Sequence, residues 1–204
     1  MTRVLFVCLG NICRSPTAHG IFRQLLSDQV AKNNDKSGAA VDAGTPLFLS
    51  SGVPLTIELD SAGTAAWHEG KAPDSRSVAH AARRGIDLRD LRARQVQARD
   101  FLEFDYILAM DKDNLTHLQA MAPVDFRGHL GLMLDFVPNA CCGVDVPDPY
   151  YDAESGFEQV LDLLDEACRG LLQSLIEHKE THKSDLKRLA KTSEDVKGTE
   201  YVNA

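Results

Sequence analysis

Long apolar runs are what this 204-residue chain most plainly lacks. Nothing in it approaches the roughly 18 consecutive apolar residues of a membrane-spanning helix. The N-terminus carries neither the basic region nor the long apolar region of a secretory leader. A cytoplasmic protein without membrane insertion is therefore expected. Basic residues are also in deficit, 22 Lys and Arg against 30 Asp and Glu, for a formal charge of −8. Long-range repulsion then disfavours nonspecific binding to nucleic acid or to an anionic membrane. No nucleic-acid partner is expected, and a small phosphate ligand would need local, directed donors. The basic stretch Arg83 to Arg99 stands out against this background and is read as a solvated face. Cysteines are few and odd in number, at positions 8, 13, 141, 142 and 168. That spacing is not a secreted disulfide framework, so thiol chemistry in a reducing compartment is the better reading.

The length suits one domain with a sizeable core and an appendage. Apolar runs or alternation at Arg3 to Val7, Leu55 to Leu59, Tyr106 to Met110 and Leu130 to Leu134 predict four strands. Helical spacing predicts helices over Pro16 to Lys32, Ser75 to Arg84 with Gly85 closing it, Asp111 to just before Pro123, and Phe157 to Ile176. Asp60 to Thr64 reads as a turn-forming loop. The segment from about 33 to 54 reads as a long inserted loop, and its Pro46-Leu47-Phe48-Leu49 forms an apolar cluster that could dock on a partner or on the domain itself. Residues 1–176 would then form the catalytic domain, and 177–204, charged and poor in apolar residues, a mobile tail. Strands alternating with helices make this an α/β fold with a parallel sheet covered on both faces, and ligands on such sheets gather at the carboxyl ends of the strands.

The stretch VCLGNICRSPTAHG, Val7 to Gly20, lies at such an end. Two cysteines beside an arginine are open to a metal, a redox or a phosphate reading, and a cysteine that ends an apolar strand is ordinarily part of the core. Arg14 beside the thiols disfavours a cation, and no second ligand pair has suitable spacing, so no metal is expected. The loop lacks the Gly-Lys-Ser/Thr ending of a nucleotide cradle. In Cys-x5-Arg-Ser, five intervening residues let successive backbone N–H groups converge on one centre, beside a helix N-terminus whose partial charge is positive. That suits a tetrahedral dianion, which Arg14 can grip with two donors. The same field favours the thiolate form of Cys8, and a thiolate at the bottom of an anion cradle suggests phosphoryl transfer to sulfur. Such a reaction needs no cofactor but does need an acid. Asp148, held between Pro147 and Pro149, is the best candidate.

The motifs CLGNICRSPTA, DSAGTAAW, PDSR and DPYYD, in this order, resemble those of the low-molecular-weight protein tyrosine phosphatases over roughly Thr2 to Leu175. The resemblance implies a four-stranded parallel sheet flanked by helices on both faces, with the phosphate-binding loop after the first strand. It implies Cys8 as nucleophile, Arg14 as phosphate clamp and Asp148 as general acid, then base. Leu9, Gly10, Asn11, Ile12, Cys13 and Ser15 would make up the phosphate loop, with Ser15 bonded to the Cys8 sulfur and Ser61 helping Asn11 hold the loop. Trp67, Tyr150 and Tyr151 would wall the cleft together with Leu9 and Ile12. Cys13 would form a reversible disulfide with Cys8. The substrate would be a phosphotyrosine-containing protein, with a tyrosine kinase as a further partner. Ser75 departs from the family pattern, which usually has proline there. Two other readings share these residues: an arsenate reductase of the same fold, with Cys141 and Cys142 as shuttle thiols, and a non-catalytic phosphotyrosine-binding module, which the presence of both Cys8 and Asp148 opposes.

Overall fold

The first strand, β1 (Thr2–Cys8), is the spine of the molecule, because its run Val4-Leu5-Phe6-Val7 is buried on both sides. Val4, Phe6 and Cys8 point into one apolar layer, and Leu5 and Val7 into another. Strict alternation is absent because both faces of a parallel sheet are covered. The computed structural model describes residues 1–33, 46–49, 51–138, 143–151 and 154–197.

Around β1 the order of elements is α1 (Arg14–Asn33), β2 (Leu47–Phe48), β3 (Pro54–Leu55), β4 (Ile57–Gly63), α2 (Ser75–Arg83), α3 (Asp100–Glu103), β5 (Tyr106–Ala109), α4 (Lys112–Met121), β6 (His129–Leu132) and α5 (Glu154–Lys197). Two 3-10 turns, Met133–Phe136 and Pro149–Tyr151, precede α5. Four strands form the parallel sheet in the order β4-β1-β5-β6. Helices α1 and α5 close one face through Ala18, Phe22, Leu164 and Leu171, and α3 and α4 the other through Phe101 and Leu118. The expected α/β fold, a four-stranded parallel sheet flanked by helices on both faces, is therefore what the chain adopts.

Several local readings change, among them that of Leu130 to Leu134, whose strand ends at Leu132 and gives way to the 3-10 turn at Met133. Asp60 to Gly63 is not a turn: β4 runs through it, with Leu5 opposite Asp60 and Cys8 opposite Gly63. The turn preference of these residues is local and weak, and a full ladder of hydrogen bonds to β1 overrides it. Leu47 and Phe48, inside the stretch read as a loop, pair antiparallel with Leu55 and Pro54. The apolar cluster docks on the domain itself, with Leu47 and Leu49 buried in the α1–α5 layer and Phe48 exposed. The last helix begins earlier than its apolar stripe and extends past Glu177 to Lys197. Glu177 there accepts from Gln173 Nε2 at 2.7 Å and from Thr181 Oγ1 at 2.8 Å, local pairs that support a helix without burial. Residues 198–204 lie outside the described residues.

The basic stretch also takes a definite form. Arg84 pairs with Glu158 and Asp162, Arg89 with Asp87, and Arg94 with Asp60 and Asp100. Three of its six arginines, Arg84, Arg89 and Arg94, are thus held by nearby carboxylates.

Candidate active site

The carboxyl end of β1 leads into the loop Leu9–Cys13, and α1 begins at Arg14. Asn11 shapes this loop: its φ is 53°, a left-handed conformation that asparagine tolerates better than most residues. Its amide nitrogen Nδ2 donates to Ser15 Oγ at 2.9 Å and to Ser61 Oγ at 3.0 Å, and its Oδ1 accepts the Arg94 N–H at 2.9 Å. Both N–H donors and the carbonyl oxygen of the side chain are thus engaged, which offsets the backbone strain. Gly63, at the end of β4, lies under the same loop. A Cβ there would sit 2.7 Å from the Leu9 carbonyl oxygen, so only glycine permits the approach.

Cys8 is buried, and its Sγ receives the Asn11 N–H at 3.2 Å and lies 3.1 Å from Ser15 Oγ. Ser15 Oγ is also 3.2 Å from the Ala62 carbonyl, so its single proton has two acceptors. Arg14 is buried as well. Its Nη1 donates to Asp111 Oδ2 at 2.5 Å and to the Val146 carbonyl at 3.1 Å, and its Nη2 to Asp148 Oδ2 at 3.2 Å. Burial works against the guanidinium charge, but Cys8, Asp148 and Asp111 outweigh it and hold Arg14 above its ordinary value. Burial pushes the Cys13 thiol up to about 12, Ser77 works the other way, and the negative charges of Asp74, Cys8 and Asp148 add to the rise.

A cavity of about 200 Å³ opens above the sulfur, lined by Cys8, Leu9, Gly10, Ile12, Cys13, Arg14, Trp67, His68, Asp148 and Tyr150. Trp67 is 70% exposed and stands at the rim, with Leu9 and Tyr150 also presenting apolar surface. Most of the residues singled out in the sequence converge on this one cavity. Asn11, Ser15 and Ser61 sit behind its floor rather than in its wall. The backbone of Tyr151 belongs to the turn after Asp148. Cys141 and Cys142, the shuttle thiols of the reductase reading, lie outside the described residues.

Sequence reasoning missed two groups. Asp111 is the partner of Arg14 and also the N-cap of α4, where its Oδ1 accepts the Asn114 N–H at 2.7 Å. Its place at the carboxyl end of β5 was the signal that could have found it. His68 flanks the phosphate loop so closely that a Cβ on Gly10 would lie 3.0 Å from its Cδ2. No spacing rule marks that contact. Among the described residues no group of three or more His, Cys, Asp or Glu is placed to hold a metal ion.

The family model described as low molecular weight phosphotyrosine protein phosphatase matches residues 3–47 and 46–181. The chain belongs to this family. It is 38% identical over 180 residues to the Bacillus subtilis low molecular weight protein-tyrosine-phosphatase YfkJ, a match covering 88% of this chain and 99% of that protein. The human low molecular weight phosphotyrosine protein phosphatase is 34% identical over 83% of this chain and 93% of its own. The crystal structure of YfkJ superposes with a TM-score of 0.70 at 37% identity, covering 88% of this chain and 97% of that one. The protein tyrosine phosphatase structure from Entamoeba histolytica, with Hepes in its active site, superposes with a TM-score of 0.69 at 36% identity, covering 88% and 99% of the two chains. The expectation of a low-molecular-weight phosphatase, and with it of a protein-tyrosine-phosphatase enzyme, is met. No helix among the described residues is long and apolar enough to cross a membrane.

Proposed function

We propose that this phosphatase hydrolyses phosphotyrosine in proteins through a cysteinyl-phosphate intermediate. The observation that carries the reading is the meeting in one cavity of the Cys8 sulfur with Arg14 and Asp148, the last two 134 residues apart in the chain. In the first step the Cys8 thiolate attacks phosphorus and the P–O bond to the tyrosine breaks. Asp148, protonated, gives its proton to the departing phenolate oxygen. The phosphate oxygens lie against the backbone N–H groups of the Leu9–Cys13 loop and the N-terminus of α1, with Arg14 neutralising charge that grows in the transition state. In the second step the Asp148 carboxylate takes a proton from the attacking water, the S–P bond breaks, and inorganic phosphate and the thiolate are released. The Ser15 proton, shared between sulfur and the Ala62 carbonyl, swings to the sulfur as negative charge returns there.

The cavity is walled by Leu9, Ile12, Trp67 and Tyr150, which suits an aryl ring above the phosphate. A shorter phosphoserine side chain would not bring its phosphate to the floor. The partner is accordingly a phosphotyrosine protein, with a tyrosine kinase supplying the substrate, and the protein works in the cytoplasm without nucleic acid. Residues 1–176 constitute the catalytic domain in this reading and 177–204 an appendage. Cys13 guards Cys8 by forming a disulfide with it under oxidation.

Replacing Cys8 by Ser should abolish hydrolysis of a phosphotyrosyl peptide while leaving the peptide bound, measured by turnover and by calorimetry on the same sample. Hydrolysis at the unchanged rate would remove Cys8 from the mechanism.

A further inference from the structure

The motif Pro73-Asp74-Ser75-Arg76 has no part in the reaction as derived, yet it touches both loops that carry the reaction. Asp74 is tied to the phosphate loop, its backbone N–H donating to the Ile12 carbonyl at 2.8 Å. Its carboxylate caps α2 by accepting the Arg76 N–H at 2.8 Å. The same carboxylate receives the Arg76 guanidinium as a two-pronged fork, Nε at 3.0 Å and Nη2 at 2.9 Å. Such a fork fixes the plane of the guanidinium. One nitrogen, Nη1, remains to reach across, and it donates to the Tyr150 carbonyl at 3.1 Å. The guanidinium also lies 5.4 Å from the Tyr150 ring centre and 4.8 Å from that of Phe157, the latter on α5. On the far side, the Tyr150 N–H donates to Asp148 Oδ1 at 3.2 Å.

We propose that Arg76 is a positioning residue that, anchored by Asp74 to the phosphate loop, holds the loop of Asp148 over Cys8 so that the acid meets the leaving oxygen. The proposal rests on the mechanism given above. The path is continuous: Ile12 carbonyl, Asp74, Arg76, Tyr150, Asp148. Arg76 itself does not line the cavity. The carboxyl of Asp148 has one oxygen on the Tyr150 N–H and the other on Arg14, so a shift of the Tyr150 backbone rotates the group away from the leaving oxygen. General-acid catalysis requires hydrogen-bond reach, and a misplacement of about 1 Å is enough to lose much of it. The Arg76–Asp74 pair is partly exposed and contributes little as an ion pair, so its effect is on geometry rather than on stability.

The test is a leaving-group comparison of Arg76→Met, Asp148→Ala and the double variant, using phenyl phosphate, whose leaving group needs a proton, and 2,4-dinitrophenyl phosphate, whose leaving group does not. Methionine keeps an apolar stem against Phe157 and removes the donors. The quantity compared is kcat/KM, which covers only the steps up to departure of the leaving group and excludes the second step that Asp148 also serves. Arg76→Met is expected to lower kcat/KM by about tenfold for phenyl phosphate and to leave kcat/KM for the dinitrophenyl ester within about twofold. The inhibition constant of inorganic phosphate should stay within about twofold, because the phosphate loop is untouched. In the Asp148→Ala background the same substitution should have no further effect, since the group it positions is gone. Equal losses on both substrates, or a loss that adds to that of Asp148→Ala, would overturn the coupling while leaving the mechanism intact. If Asp148→Ala is itself insensitive to the leaving group, the general-acid role falls and the proposal with it. Should Arg76→Met not fold, Arg76→Lys takes its place in the same comparison. An ammonium cannot reproduce the planar fork on Asp74 that aims the third donor at the Tyr150 carbonyl, so the loss in this variant should again be confined to phenyl phosphate.

Discussion

At the scale of single residues, the two cysteines of the phosphate loop are both buried but have different neighbours. Cys8 has an N–H and a hydroxyl on its sulfur, whereas burial and three negative neighbours push the Cys13 thiol up to about 12. The protection proposed for Cys13 would then proceed in a set order. Peroxide would convert the Cys8 thiolate to a sulfenic acid, and the Cys13 sulfur would displace water from it to close the disulfide, two electrons passing to the peroxide. Only the thiolate form of Cys13 attacks, and far below its pKa that fraction rises about tenfold per pH unit. Disulfide closure after a peroxide pulse should therefore accelerate as pH is raised from 6 to 8, followed by the Cys8–Cys13 linked peptide in a non-reducing digest. Sulfinic or sulfonic Cys8 with no linked peptide would rule out the protective role.

At the scale of elements, close approach governs which residues are tolerated. Gly170 lies on α5 against the turn Met133–Phe136, and a Cβ there would sit 1.8 Å from the Phe136 carbonyl oxygen. Helix propensity alone would favour alanine over glycine by about 1 kcal/mol. The clash is with backbone and cannot be relieved by a rotamer change, so α5 would have to withdraw from the layer it shares with α1. Gly170→Ala is expected to destabilise the fold by about 1–3 kcal/mol, read from urea unfolding. Increased stability would show that α5 can shift without cost. The same competition explains β4: Asp60-Ser61-Ala62-Gly63 has the composition of a turn, but pairing with β1 along its whole length wins, and that pairing brings Ser61 under Asn11.

At the scale of the whole molecule, charge acts through a few buried groups rather than through the net −8. His19 on α1 is buried, its Nδ1 has no hydrogen-bond partner, and its pKa is lowered to about 4 by burial first and then by Arg23, with Asp60 and Asp90 opposing. Its folded value is depressed, so between about 4 and 6.5 the unfolded chain binds more protons than the folded one. The contribution of His19 is then fully present above pH 6.5 and is lost as pH falls towards 4. A shift of this size corresponds to something on the order of 3 kcal/mol. Wild-type protein should lose more stability than His19→Gln when urea unfolding is compared at pH 7 and pH 4.5. Parallel losses would show that His19 accepts a proton in the fold without penalty.

Much of this protein was decided by its sequence alone. The apolar runs determined the parallel sheet, and the helical stripes determined α1 and α5, because burial on both faces leaves those segments no other partner. The Cys-x5-Arg-Ser spacing determined the anion loop, because it is local: the donors, the arginine and the helix N-terminus are within one turn of chain. What the tertiary structure decided lies in contacts between distant segments. Asp111 meets Arg14 across 97 residues, Arg76 meets Tyr150 across 74, and Gly63 slides beneath Leu9. No periodicity records such meetings, since they depend on how strand ends are brought side by side. The thiol proposed to attack could be read from the chain, but the grip on the arginine beside it, and the tether on the proposed acid above it, exist only once the sheet has formed.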